Sequence, residues 1–300
     1  MSTVTVPFAS SVIALGLIVA ALWGVSDFLG GIATRKAGAL LVVAVAHGLS
    51  LMILIFVAVA TRATIPTGRA TIWGLIAGLT GGLAIIAFYS ALAGGQMGLT
   101  AAMAGLLTAV IPVVFAFFTE GRPKATQLGG FALAAAAIWF LAYEPGGKPR
   151  ARGLGLATLA GVGFGIFLIT SKFASQGALL WPLAASRLAS TSLACCMLFA
   201  TRKKTRGDQD APSAASDRRK SGALRAGVLI AGVTGLLEAF GNLLYMIATH
   251  AGRLDVAAVL SSLYPATTIL LAIWILKERL SPRKIAGIGL ALAAAVVISL

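Results

Sequence analysis

Ten apolar stretches, each long enough to cross a lipid bilayer, fill most of the 300-residue chain and confine its charges almost entirely to the gaps between them. A hydrocarbon core about 30 Å thick needs roughly 20 helical residues at about 1.5 Å each. The segments 10–33, 38–60, 71–93, 97–118, 125–142, 153–172, 179–200, 224–248, 254–276 and 284–300 meet that requirement. In lipid every backbone N–H and C=O must be paired within the protein, which leaves helices or a closed barrel. Runs such as LLVVAVAHGLSLMILIFVAVA over 40–60 lack the alternation of a barrel strand. The expected fold is all-α, an integral membrane protein of ten transmembrane helices.

Composition narrows the function classes. With 59% hydrophobic and 11% charged residues, no water-facing surface can be assembled. The net charge of +15 would suggest nucleic acid in a soluble chain. Here the Lys and Arg residues lie in connecting loops without stacked aromatic platforms, so anionic headgroups and topology account for them and no nucleic-acid partner is expected. Cys195 and Cys196 are adjacent in the middle of a span, where they form neither an ordinary disulfide nor, without His or carboxylate neighbours, a metal site. No metal and no cofactor is expected. The start, MSTVTVPFASS, lacks the positive region of a secretory signal, so the first apolar stretch is expected to remain as a membrane helix.

The chain also repeats itself. Gly38-Ala39-Leu40-Leu41 recurs as Gly177-Ala178-Leu179-Leu180, and Ala60-Thr61-Arg62 as Ala200-Thr201-Arg202. Tyr89 matches Tyr245 and Glu120-Gly121-Arg122 matches Glu278-Arg279-Leu280 at a larger offset, the growth being absorbed by a polar insert at 201–223. Two halves, 1–146 and 147–300, then hold five helices each. An odd number of crossings makes the second half enter the membrane from the opposite side, giving two inverted five-helix repeats around a central cavity, an arrangement typical of transporters. The positive-inside rule puts Arg35, Lys36, Lys148, Arg150, Arg152, the basic cluster of 202–225 and the segment 277–284 in the cytoplasm. Both termini are then outside a bacterial inner membrane. The insert TRKKTRGDQDAPSAASDRRKSG, without periodicity, reads as a mobile cytoplasmic linker, with an anionic-lipid contact as the alternative.

Four further features carry a family resemblance: Ala21-Leu22-Trp23-Gly24 in the first helix, Pro182 followed by Arg187 in the seventh, Ala257-Ala258 with Pro265 in the ninth, and Lys277-Glu278-Arg279-Leu280-Ser281-Pro282 before Gly287. With them the chain resembles the drug/metabolite transporter superfamily, in particular its ten-helix branch of two tandem EamA-type repeats. The resemblance spans the full length and is stronger in the C-terminal half. The N-terminal half has no Arg at the mirror of Arg187, where His47 lies within a residue, and Pro112 is out of register with Pro265. The stretch WGVSDFLGG at 23–31, with its acidic residue, departs from the pattern expected there. The resemblance implies a secondary transporter, often an exporter of amino acids, other metabolites or drugs, working by alternating access. It names no cargo.

Asp27, Lys172, Arg187 and Glu238 are charged side chains inside the expected spans, and such charges cost several kcal/mol (~3 or more) unless paired, neutralised or hydrated. Glu238, Asn242 and Tyr245 share one helical face near mid-membrane. Glu238 is the first candidate for proton coupling or for holding a substrate amine, since low dielectric disfavours its charged form; a packing ion pair is the alternative. Asp27 lies about 12 Å deeper than the Arg35-Lys36 pair and either lines the cavity or pairs with a basic residue near the helix end. Arg187 either holds a substrate carboxylate through two hydrogen bonds or neutralises Glu238 or Asp27. Lys172 ends its span, where its stem can reach the interface. Trp23, Tyr89, Ser261 and Tyr264 are candidate cavity-lining residues, and Pro265, among Ser261, Ser262, Thr267 and Thr268, marks a kink. Glu120 and Glu278 read as interfacial residues paired locally with Arg122 and Arg279.

The expected function is therefore a secondary transporter of a small metabolite, an amino acid or related solute or a drug-like compound, with proton-coupled export ahead of uncoupled or exchange transport. An integral-membrane enzyme would need clustered carboxylates, a metal set or an activated nucleophile, and here the acids are scattered and His47 and His250 look isolated. No GxxxxGK[ST] motif provides for ATP. A receptor or scaffold would keep the helices without needing a titrating cavity. The partners are a small solute and the lipid bilayer, and the chain is expected as a monomer or weak dimer.

Overall fold

The computed structural model describes residues 8–93, 97–142, 151–204, 214–276 and 281–299. The regular elements among them are all helices: α1 (Phe8–Ala37), α2 (Ala39–Ala60), α3 (Gly68–Ala93), α4 (Met97–Thr119), α5 (Ala125–Ala142), α6 (Ala151–Ala174), α7 (Leu180–Lys204), α8 (Ala214–Ala251), α9 (Leu254–Ser261), α10 (Tyr264–Leu276) and α11 (Pro282–Ser299). Seven segments, the last running through α9 into α10, are long and apolar enough to cross a membrane, while Met103–Thr119, Ala125–Phe140 and Ile285–Ile298 are apolar but shorter. Phe56, Phe118, Leu229, Trp274 and Leu292 project outward with most of their surface uncovered. So broad an apolar exterior matches acyl chains, not water. The chain is a multi-pass integral membrane protein.

Two segments differ from expectation. The ninth span does not merely kink: it breaks between Ser261 and Tyr264. Pro265 has no N–H with which to continue the ladder, and the Ser262 hydroxyl turns back to donate to the Ala258 carbonyl at 2.7 Å. Pro112, by contrast, sits inside an uninterrupted α4. The insert is helical at both flanks, α7 running to Lys204 and α8 beginning at Ala214. Ala, Arg and Lys favour helix, and extending an existing helix avoids the nucleation penalty, so polarity alone was a poor guide to disorder. Residues 205–213, the matched segment Lys277-Glu278-Arg279-Leu280 and the chain start at 1–7 lie outside the described residues.

The helices pair across the halves: α1 against α8, α3 against α6, α2 against α7 and α5 against α11. Gly38 and Gly177, the repeat-matched residues opening α2 and the approach to α7, have φ of 79° and 80°, a left-handed conformation that glycine adopts without strain. Two glycines permit backbone-to-backbone approach. A Cβ on Gly78 of α3 would stand 2.1 Å from the Ser186 carbonyl of α7, and one on Gly235 of α8 would stand 2.1 Å from the Ala46 carbonyl of α2. Ser50 bridges the second crossing by donating to the carbonyls of both Ala46 and Gly235 at 2.7 Å. Gly235→Ala is expected to push α2 and α8 apart at a cost of about 1–3 kcal/mol. A thermal midpoint in detergent equal to that of the parent protein would show that the crossing is not close-packed.

Candidate functional site

α1, α3, α4, α6, α8 and α10 enclose a chamber holding about 400 Å³ of unfilled space. Asp27 and Trp23 reach it from α1, Glu238 and Asn242 from α8, Thr108 from α4 and Tyr264 from the first turn of α10; Ile85, Phe164, Phe167 and Leu168 supply its apolar wall. A second lobe of about 240 Å³ shares Glu238, Phe164 and Phe167 and adds His47, Ser186, Arg187 and Ser190. Glu238 is the polar residue common to both lobes.

In the second lobe Glu238 is tied down from two sides. Arg187 Nη1 donates to Glu238 Oε1 at 3.0 Å, and His47 Nε2 lies 3.0 Å from Glu238 Oε2 and 3.0 Å from Arg187 Nη1. His47 Nδ1 in turn meets the Ser190 hydroxyl at 2.7 Å. The Arg187 and His47 side chains are only 3% and 2% exposed, against 16% for Glu238. Buried cation and anion therefore compensate each other, which is what makes either tolerable at this depth. Arg187 also keeps Nε and Nη2 without a hydrogen-bond partner among the described residues, as does Asn242 Nδ2. Buried donors in that condition are uncommon, and water or a solute in the chamber can satisfy them.

Asp27 differs. It is 8% exposed, lines the first lobe with Glu238, and has no ion-pair partner among the described residues. The basic partner foreseen as its alternative is not found among the described residues. Its surroundings are otherwise well held: Trp23, one turn away, donates from Nε1 to Asn242 Oδ1 at 2.9 Å and packs on Tyr245 at 5.7 Å between ring centroids, while Ser26 donates to the Thr234 carbonyl at 3.1 Å.

Of the residues anticipated for the site, Asp27, Glu238, Asn242, Trp23 and Tyr264 converge on the first lobe and Arg187 on the second. Tyr245 stands behind Trp23 with its hydroxyl directed to the Leu168 carbonyl at 3.3 Å, and Tyr89 fills the space over Gly30. Ser261 is fully buried at the end of α9. None of these three lines either lobe. His47, read as isolated, stands at the centre of the polar cluster; its position mirroring Arg187 was the available signal. Ser190, one turn beyond Arg187, carried none.

Charges at the end of the bundle where α4, α6 and α8 finish form a separate group. Glu120 pairs with Lys172 rather than with Arg122, and also accepts the Leu254 N–H at 3.1 Å. Asp255, at the edge of its span and overlooked among the intramembrane charges, is wholly buried and held by Arg253 at 2.8 Å. It lies in the first turn of α9, where its negative charge suits the positive end of the helix. Arg253 further donates to the carbonyls of Glu120 and Gly121. Tertiary proximity selected Lys172 for Glu120, whereas Arg253 and Asp255 pair two residues apart. Cys195 and Cys196 are both free thiols, the latter exposed. No group of three or more His, Cys, Asp or Glu residues with metal-binding geometry occurs among the described residues.

A solved crystal structure superposes on the chain with a TM-score of 0.69 at 18% sequence identity, covering 96% of both chains, which establishes a shared fold. No curated protein matches the sequence. Residues 151–300, the half contributing Arg187, Glu238, Asn242 and Tyr264, match the EamA-like transporter family. A bundle of membrane-crossing helices around a polar chamber, with half its length carrying that match, thus belongs to the EamA-like transporter family, membrane transporters of the drug/metabolite type.

Proposed function

We propose that the chain is a secondary active transporter that exports a small amine-bearing solute by alternating access, exchanging it for a proton at Asp27. The observation that carries this reading is a buried carboxyl without a counter-charge facing the same chamber as a carboxylate already neutralised by Arg187. An uncompensated carboxylate in a low-dielectric cavity needs a cation or a proton, so one can replace the other. This geometry favours Asp27 over Glu238 as the exchanging group. Glu238, pinned by Arg187 and His47, serves as a positioned acceptor, and the unused Nε and Nη2 of Arg187 suit an acidic or carbonyl group on the same solute. Amino acids and related zwitterions fit both ends.

The alternating-access part takes the chain as ten crossings in two inverted repeats, a reading the helix pairing supports. The α1·α8 and α3·α6 pairings exchange with each other when the halves are swapped, α2·α7 and α5·α11 map onto themselves, and Gly38 and Gly177 share one unusual backbone angle.

The test is flux in proteoliposomes under an imposed pH gradient, with labelled amino acids, amines, nucleosides, sugars and organic acids. Accumulation of an amine-bearing solute against its gradient, driven by protons, is expected. Flux indifferent to the gradient favours a facilitator or exchanger, and no flux of any solute would defeat the transport reading.

A further inference from the structure

We propose that Leu54, Leu183 and Met246 form an apolar gate between the polar chamber and an open vestibule at the end of the bundle carrying the α6–α7 turn. The proposal rests on the transport reading and adds the route by which solute reaches the site.

Three helices pass through the same three layers in the same order. On α7 they are Arg187 in the chamber, Leu183 one turn on, and Leu179–Leu180 one further turn on; each step is about 6 Å along the axis. On α8 they are Glu238, then Met246, then His250. On α2 they are His47, then Leu54, then the residues just past its end, Ala63 and Thr64. The outer layer opens into a vestibule of about 940 Å³. Its rim is held by Trp181 Nε1 donating to the Ala63 carbonyl at 3.3 Å and by His250 Nε2 standing 2.9 Å from the Ser175 carbonyl.

The middle layer is a small cluster in its own right. Leu54, Leu183 and Met246 bury together with Ala174 and Ala184, and Leu51, Leu179, Leu180, Leu243 and Trp73 pack against them. An apolar constriction excludes ions and polar solutes because crossing it strips their water. It is also easily parted, since no side-chain hydrogen bond or ion pair joins its members among the described residues and the unbranched Met246 side chain can adapt its shape.

The experiment is thiol accessibility in proteoliposomes, using the full chain with Cys195→Ala and Cys196→Ala and a cationic, membrane-impermeant methanethiosulfonate reagent. Ser186→Cys reports from the chamber and Thr64→Cys from the vestibule. Thr64→Cys is expected to react fast and Ser186→Cys slowly. Adding Leu183→Ala, or separately Met246→Ala, should speed labelling of Ser186→Cys about tenfold, the factor given by opening made ~1.4 kcal/mol easier, while leaving Thr64→Cys unchanged. If Leu183→Ala fails to fold, Met246→Ala probes the same layer. Equal reactivity of the two cysteines before truncation, or labelling of Ser186→Cys that neither truncation alters, overturns the gate. Solute flux in the same vesicles separates the two ideas: responsive labelling without any flux keeps the gate and removes the transport reading, and flux with unresponsive labelling does the reverse.

Discussion

Arg187→Ala is expected to destabilise the protein by about 3–5 kcal/mol, the largest single effect available in this chamber. The substitution removes the guanidinium from Glu238 and leaves that carboxylate in a space it already shares with Asp27, with His47 its one remaining partner. The cost comes from stranding a buried charge, more than from losing an attraction. Removing the pair together, as Arg187→Met with Glu238→Leu, should therefore recover most of the loss, because the desolvation of both ions disappears with them. Thermal unfolding in detergent of the two single variants and the double variant forms the cycle. Equal or additive losses would mean that water, not Arg187, compensates Glu238. Transport should fail in all three, so stability and flux report different things.

Asp27→Asn is expected to leave the fold intact and lower flux of the amine-bearing solute about ten- to hundredfold, the range set by losing one charge-assisted contact of ~1.5–3 kcal/mol. Asparagine fills nearly the same volume but carries no exchangeable charge. The residual flux should no longer respond to a pH gradient, whereas in Glu238→Gln, if Asp27 is the exchanging group, some response should survive. Retention of proton-driven flux in Asp27→Asn would falsify the assignment. Because Asp27 has no ion-pair partner among the described residues, its neutralisation strands nothing, and the stability change should be small or favourable.

Much of this was legible in the residues. Apolar length announced membrane helices, since lipid leaves the backbone no other way to satisfy its hydrogen bonds. Asp27, Arg187 and Glu238 stood out because intramembrane charge is costly, and they do converge. Partner choice was legible only for Arg187, whose expected alternatives included the Glu238 it meets. Glu120 turns to Lys172, 52 residues away, rather than to Arg122 two residues along, and His47 reaches Glu238 across 191 residues. Nothing local distinguishes such partners, because the selection is made by which helices lie side by side. The flanks of the polar insert misled for the opposite reason: local helix propensity and continuity with α7 and α8 outweighed a composition that resembles disorder.

The sequence by itself determined the class of solvent, the helical fold, the family and a short set of costly charges, because each depends on one segment's own chemistry in lipid. Only the tertiary structure decided that Glu238 is neutralised while Asp27 is not, that Tyr89 and Tyr245 support the chamber from behind, and that the ninth span breaks at its middle. Those outcomes depend on helix pairing across the two halves. A charge's role in a membrane is set by the distance to its nearest counter-charge, and that distance exists only once the bundle has closed.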